Sequence, residues 1–235
     1  MGRKYKYILD KKKAIRIITN AAESYHNNLE DQKVLFVFGV PTEIKRQLKM
    51  KTRILSGLSC YEVTFHRSNF MHLTGVKIHG EEVASSINFY QKCLDHRLSE
   101  SDFELSTDGA TEQKLDVIEQ MMKIKKNVAM IGDFTDRGPK LYSEKVAGNV
   151  CACIGFVKDK YTKYNVPNTL LKKDIRDVCT KPQQKIYMVF SKKYNADKYE
   201  KIEKLDKSID WKKVILLETI QNKIEISNID CLVYP

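Results

Sequence analysis

The chain has 235 residues, 42% hydrophobic and 30% charged, and its 41 Lys+Arg against 30 Asp+Glu leave a formal net charge of +11. That length can bury a core without disulfide staples, and the surplus of cations favours polyanionic partners such as nucleic acid. No apolar run is long enough to span a bilayer, and the start, Met1-Gly-Arg-Lys-Tyr-Lys-Tyr7, lacks the apolar stretch of a secretion signal, so the expectation is a cytosolic protein with no membrane partner.

Taken in chain order, residues 10–28 predict an amphipathic helix, with Ala14, Ile17, Ile18, Ala21, Ala22 and Tyr25 at helical spacing and Asp10 as its cap. Lys33–Phe38 is a dense β-prone run stopped by Gly39 and Pro41. Residues 43–56 are basic and fit no single period. Residues 60–66 and 70–78 predict two strands joined by a polar turn at Arg67-Ser-Asn69. A helix is expected over 81–95, a short strand near Phe103 and Leu105, and a second helix over 111–123.

The second half changes character. Residues 127–133, 140–147, 149–158 and 185–193 read as short strands punctuated by Gly132, Gly148 and Pro182, with one helical turn at 172–178. Helices first and strands later predict an α+β domain with a mostly antiparallel sheet. Beyond Asn195 the chain is charged, with an edge strand expected over 198–206 and an apolar segment over 211–219. The six cysteines form no Cys-x-x-Cys pair and read as small apolar fillers; Cys151 and Cys153 should share a strand face. There is no Walker A loop, no G-x-G-x-x-G and no H-E-x-x-H, so neither an NTPase nor a zinc site is expected, and no cofactor.

Several segments together resemble one family: Phe65–Lys77 (F-H-R-S-N-F-M-H-L-T-G-V-K), Phe89–Leu94, Thr111–Leu115, Met130–Asp133, Gly155–Lys158 and Val166–Arg176 (V-P-N-T-L-L-K-K-D-I-R). In that order they look like the phage-associated Barnase–EndoU–colicin–RelE (BECR)-like nucleases. The resemblance divides the chain into an N-terminal helix at 1–26 belonging to the same domain, a nuclease domain at 27–193 and a charged extension at 194–235. It implies helices on an antiparallel sheet whose concave face holds RNA. It also implies metal-independent cleavage by the ribose 2′-OH, leaving a 2′,3′-cyclic phosphate.

That reaction needs a proton acceptor, a proton donor and cations for the charge on phosphorus. His72, read near a strand end, is the first choice for acid or base, because imidazole titrates near neutral pH. Lys145, Tyr142 and, by the resemblance, Ser191 at the end of a late strand complete the catalytic set. Thr74 should share a strand face with His72, and Lys77, Arg137, Asn168 and Thr169 are the expected substrate contacts. Asp133 and Asp136 read as turn residues. Two other readings compete: a non-catalytic RNA- or protein-binding module of the same fold, and an ADP-ribosyl transferase-like enzyme, for which Glu144 is the nearest acid. RNA is the expected partner, with a protein inhibitor or host factor as a second.

Overall fold

Asp10 starts the first helix as predicted: its carboxylate accepts the Lys13 N–H at 2.7 Å, and α1 runs Lys11–Asn28. The computed structural model describes residues 9–51, 53–81, 83–135 and 143–225. After α1 come β1 (Gln32–Gly39), α2 (Pro41–Lys49) and β2 (Leu58–Phe65). The first half of the ambiguous basic stretch is therefore α2, with Pro41 at its first turn, where a missing N–H costs nothing. Next follow α3 (Phe70–Thr74), β3 (Lys77–Ile78), α4 (Ser86–Leu94), β4 (Phe103–Glu104), α5 (Ala110–Met121) and α6 (Ile124–Asn127). The rest is β5 (Met130–Asp133), β6 (Lys145–Gly148), β7 (Cys153–Lys158), β8 (Asn165–Leu171), α7 (Ile175–Val178), β9 (Gln184–Lys193), β10 (Lys201–Leu205) and α8 (Glu218–Gln221). Among the described residues no helix is long and apolar enough to cross a membrane.

The main sheet runs β2-β1-β9-β5-β6-β7-β8, with β10 also on β9, and every pairing between these strands is antiparallel. It is an α+β fold, as the sequence predicts. The sheet curls until its two ends approach, and Asn165 Nδ2 donates to the Glu62 carbonyl at 2.8 Å across the seam between β8 and β2.

Alternation along the strands builds two apolar layers. Val34, Phe36, Val63, Phe65, Phe156 and Val189 face inward, where α1, α3, α4 and α5 cover them with Ile18, Tyr25, Phe70, Phe89 and Ile118. Leu35, Val37, Met188 and Phe190 face the other way, against Ile44 of α2 and against Tyr199, Trp211, Leu216 and Ile220. Residues 194–225 thus supply a strand and a second core layer. Each such side chain contributes roughly 1.5–3 kcal/mol when taken fully out of water.

Two buried polar networks cross the inner layer. The Glu30 carboxylate, at the end of α1, accepts from Tyr90 at 2.8 Å and contacts His26 and Arg67. Burial alone would raise its pKa; these bonds reverse the effect and hold it below the usual value. In the second network Lys125 of α6 meets Glu203 at 2.7 Å and Gln32 at 2.8 Å, while Ser191 Oγ donates to Glu203 at 2.7 Å.

Three local expectations are corrected. Residues 70–74 are helical, not a strand, because Phe70, Leu73 and Thr74 turn one face inward and Gly75 ends the helix at φ 75°. Asn69 Oδ1 accepts the His66 N–H at 3.0 Å and helps turn the chain out of β2. Cys151 and Cys153 do not share a strand face: β7 begins at Cys153, which is buried, and Cys151 is exposed in the turn before it. Residues 165–171 form β8, a strand the sequence pattern does not predict. The turn before β7 also rests on a glycine. A Cβ at Gly148 would lie 2.2 Å from the Ala152 carbonyl oxygen and 2.5 Å from Cys153 Cα. Those are backbone atoms, so Gly148→Ala should cost about 1–3 kcal/mol as overpacking, read as a lower urea midpoint at unchanged m-value.

Candidate active site

One cross-strand row organises the inner face across β5, β6, β7 and β8. Asp133 of β5 stands opposite Lys145 of β6, Lys145 opposite Phe156 of β7, and Phe156 opposite Pro167 of β8. Lys145 and Asp133 form an ion pair, the lysine side chain 24% exposed and the aspartate 63%. The curl brings β2 over the same row. The Lys145 ammonium lies 5.7 Å from the Tyr61 ring centroid, and that ring packs edge-on to Phe156 at 6.2 Å.

Tyr61 is the residue that sequence reasoning misses. It keeps step with Val63 and Phe65, so its position reads as core. Its hydroxyl is shielded from solvent and has no hydrogen-bond partner among the described residues. Burial, then the carboxylates of Glu144 and Asp133, push its pKa up, so it stays protonated at any physiological pH. Asp133 is the last residue of β5 rather than a turn residue, and its role as the Lys145 counter-ion is legible once the β5–β6 register is known.

The other predicted residues divide. Asn168 sits in the irregularity of β8, between Pro167, which faces Phe156, and Thr169, which faces Gly155. It is therefore one residue from the Lys145 row. Thr169 is buried, and its hydroxyl lacks a partner among the described residues. Its side chain closes on Gly155: a Cβ there would stand 2.9 Å from Thr169 Cγ2 and 2.5 Å from Ser143 Oγ.

His72 lies on α3, which packs against β8. The residue is exposed, and its carbonyl accepts the Lys114 ammonium at 2.9 Å. Partial desolvation, and then the Lys114 charge, lower the imidazole pKa below its ordinary 6.5. Thr74 does not share a strand face with His72; it is fully buried at the helix end, its hydroxyl donating to the Met71 carbonyl at 2.7 Å. Lys77 is exposed on the separate two-stranded sheet β3–β4. Ser191 is turned into the buried network with Glu203 and Lys125. Arg137, Tyr142 and Asp136 lie outside the described residues.

The structure therefore brings Lys145 and Asn168 to one region of the curled sheet, with the helix of His72 docked on the strand of Asn168. A half-buried cation with an anionic partner and a protonated phenol beside it can bind an anion and steady charge that develops on it. Fold and site together are those of an α+β domain with an ion-paired, half-buried lysine on the inner face of its curled sheet. Residues 17–208 match the family described as phage-Barnase-EndoU-ColicinE5/D-RelE like nuclease 4, and the chain belongs to that family. Membership makes nucleic acid the substrate class. No curated protein and no solved structure matches the chain.

Proposed function

We propose that the protein is a metal-independent endoribonuclease, carried by a phage or mobile element, toxin-like in effect and acting in the cytosol. The observation that carries this reading is Lys145, an ammonium fixed inside the curled sheet within the stretch the nuclease family spans. A preorganised cation stabilises the charge of a phosphorane far better than a solvated one. In the proposed reaction a base takes the proton of the ribose 2′-OH. O2′ then bonds to phosphorus, the bond to O5′ breaks, and O5′ takes up a proton. The products are a 2′,3′-cyclic phosphate and a free 5′-OH.

His72 is the proposed base. Its lowered pKa keeps the imidazole neutral and able to accept a proton at neutral pH. Lys145 and Asn168 are the proposed phosphate contacts. Ser191, bonded to Glu203, is left out of the catalytic set.

The test is an RNA substrate incubated with the full chain in excess EDTA. The expected result is cleavage to fragments ending in cyclic phosphate, while DNA of the same sequence survives because it lacks the attacking hydroxyl. Cleavage that requires added Mg²⁺, or equal cutting of DNA, overturns the reading.

A further inference from the structure

At the far end of β1 the outer sheet face carries an arrangement that the fold alone does not explain. Lys33 of β1 stands directly opposite Lys192 of β9 and directly opposite Thr64 of β2. Directly opposed like charges on one sheet face repel. Among the described residues neither lysine forms an ion pair, although other lysines do, such as Lys125 with Glu203 and Lys185 with Asp206. Lys192 donates instead to a neutral group, the Asp197 carbonyl, at 2.9 Å. Burial lowers the Lys192 pKa, and the charges of Lys33 and Lys223 lower it further; Glu62 opposes them in part, and is itself bonded by Tyr199 at 2.6 Å.

The same face presents polar atoms and rings. The Thr64 hydroxyl and His66 Nε2, two residues apart, are buried and have no hydrogen-bond partner among the described residues. Buried polar atoms of this kind call for an explanation. The Lys33 ammonium lies 4.1 Å from the Tyr164 ring centroid and 5.0 Å from that of Tyr194. Lys192 lies 4.7 Å over Tyr199. Cations alternating with aromatic rings along a groove are what single-stranded nucleic acid needs: charge for its phosphates and rings for its bases.

We infer that Lys33 and Lys192 bind phosphates of single-stranded RNA, with Tyr164 and Tyr194 as its stacking surface, apart from the Lys145 site. The inference rests on the nuclease reading for its ligand. A duplex fits less well, because its bases are already stacked on one another and offer no free face to the tyrosines.

The probe is a fluorescent single-stranded oligoribonucleotide with 2′-O-methyl groups, which cannot be cut by 2′-OH attack. Its binding is read by anisotropy across a salt series with the full chain. The double variant K33M/K192M keeps the aliphatic stems and removes both charges. It should bind at least tenfold more weakly at low salt, and its salt slope should fall by about 1.4, since each single-strand phosphate that a cation neutralises adds roughly 0.7. Tyr164→Ala should cost about tenfold in affinity with little change in slope. Because mutual repulsion is removed, K33M/K192M should melt no lower than the wild type.

Unchanged affinity and slope in a folded K33M/K192M overturn the inference. So does a lower melting temperature with affinity intact, since the lysines then serve only to hold the tyrosines. Tighter binding of a matched duplex than of the single strand overturns the single-strand assignment. Cleavage of unmodified RNA is measured separately: a wild type that binds the probe through this row but cuts no RNA leaves the inference standing and removes the nuclease reading.

Discussion

His72→Ala should lower the rate of RNA cleavage by about 10²–10⁴, the usual worth of one general acid or base, while the protein stays folded. The fold should tolerate the change because His72 is exposed and α3 is anchored by Phe70 and Leu73, both fully buried. A thermal melt checks the fold, and single-turnover kinetics check the rate. The pH profile gives a second readout. A base whose pKa is depressed remains unprotonated to lower pH, so the acid limb of kcat/KM should fall below the ordinary imidazole value of 6.5. It should vanish in His72→Ala. Full activity in the folded variant removes His72 from the reaction, and a limb above 6.5 removes it as the base.

The largest stability effect is expected at Glu203. Its side chain is 3% exposed and its partner Lys125 6% exposed, so Glu203→Ala leaves a buried ammonium with no carboxylate. Breaking a buried pair in this way costs about 3–5 kcal/mol, a large share of the roughly 5–15 kcal/mol that holds a domain together. Urea unfolding should show a midpoint lowered accordingly. The double replacement Lys125→Met with Glu203→Leu should recover most of the loss, because an apolar pair of similar volume needs no counter-charge. A loss under about 1 kcal/mol in the single variant means water reaches the lysine. Linkage gives the sign with pH. Burial raises the Glu203 pKa, but bonds from Lys125 and Ser191 lower it further, to a net value below 4.5. The carboxylate therefore stabilises the wild type fully above its unfolded pKa, and that contribution is lost as pH falls through the lower folded value.

The elements that can be read from sequence are those whose period and partners are local. Helix α1 announces itself through an aspartate cap and a continuous stripe, and β1 and β9 through dense apolar runs. Segment 70–74 misleads because apolar residues at 70, 71 and 73 suit a strand or a helix equally; the choice is made by tertiary packing of Phe70 and Leu73. Strand β8 escapes detection because a proline and a bulge break its alternation, and it is held by partners on β7 that no local pattern reveals. The site divides in the same way. Lys145 can be picked out as a charge near a strand. Its pairing with Asp133 depends on strand register, and the approach of Tyr61 depends on the curl of the whole sheet. Ser191 fails for the converse reason: it does lie near a strand end, but the face it turns to is set by neighbours far away in the chain.

Strand β9 must in consequence be positioned to within a single residue. Ser191 and Lys192 are neighbours in the chain, yet one is sealed beside Glu203 and the other stands in a row of cations on the opposite surface. Only the two-residue repeat of the strand separates these fates. Sliding β9 by one position would drive the Lys192 ammonium toward Lys125 and leave a neutral hydroxyl facing Lys33. The slipped form would collect positive charge in the interior and lose it from the surface at once. The irregularity between Val37 and Phe38, where β1 and β9 fall out of step, marks the native alignment and makes any other one a mismatch along the length of the strand.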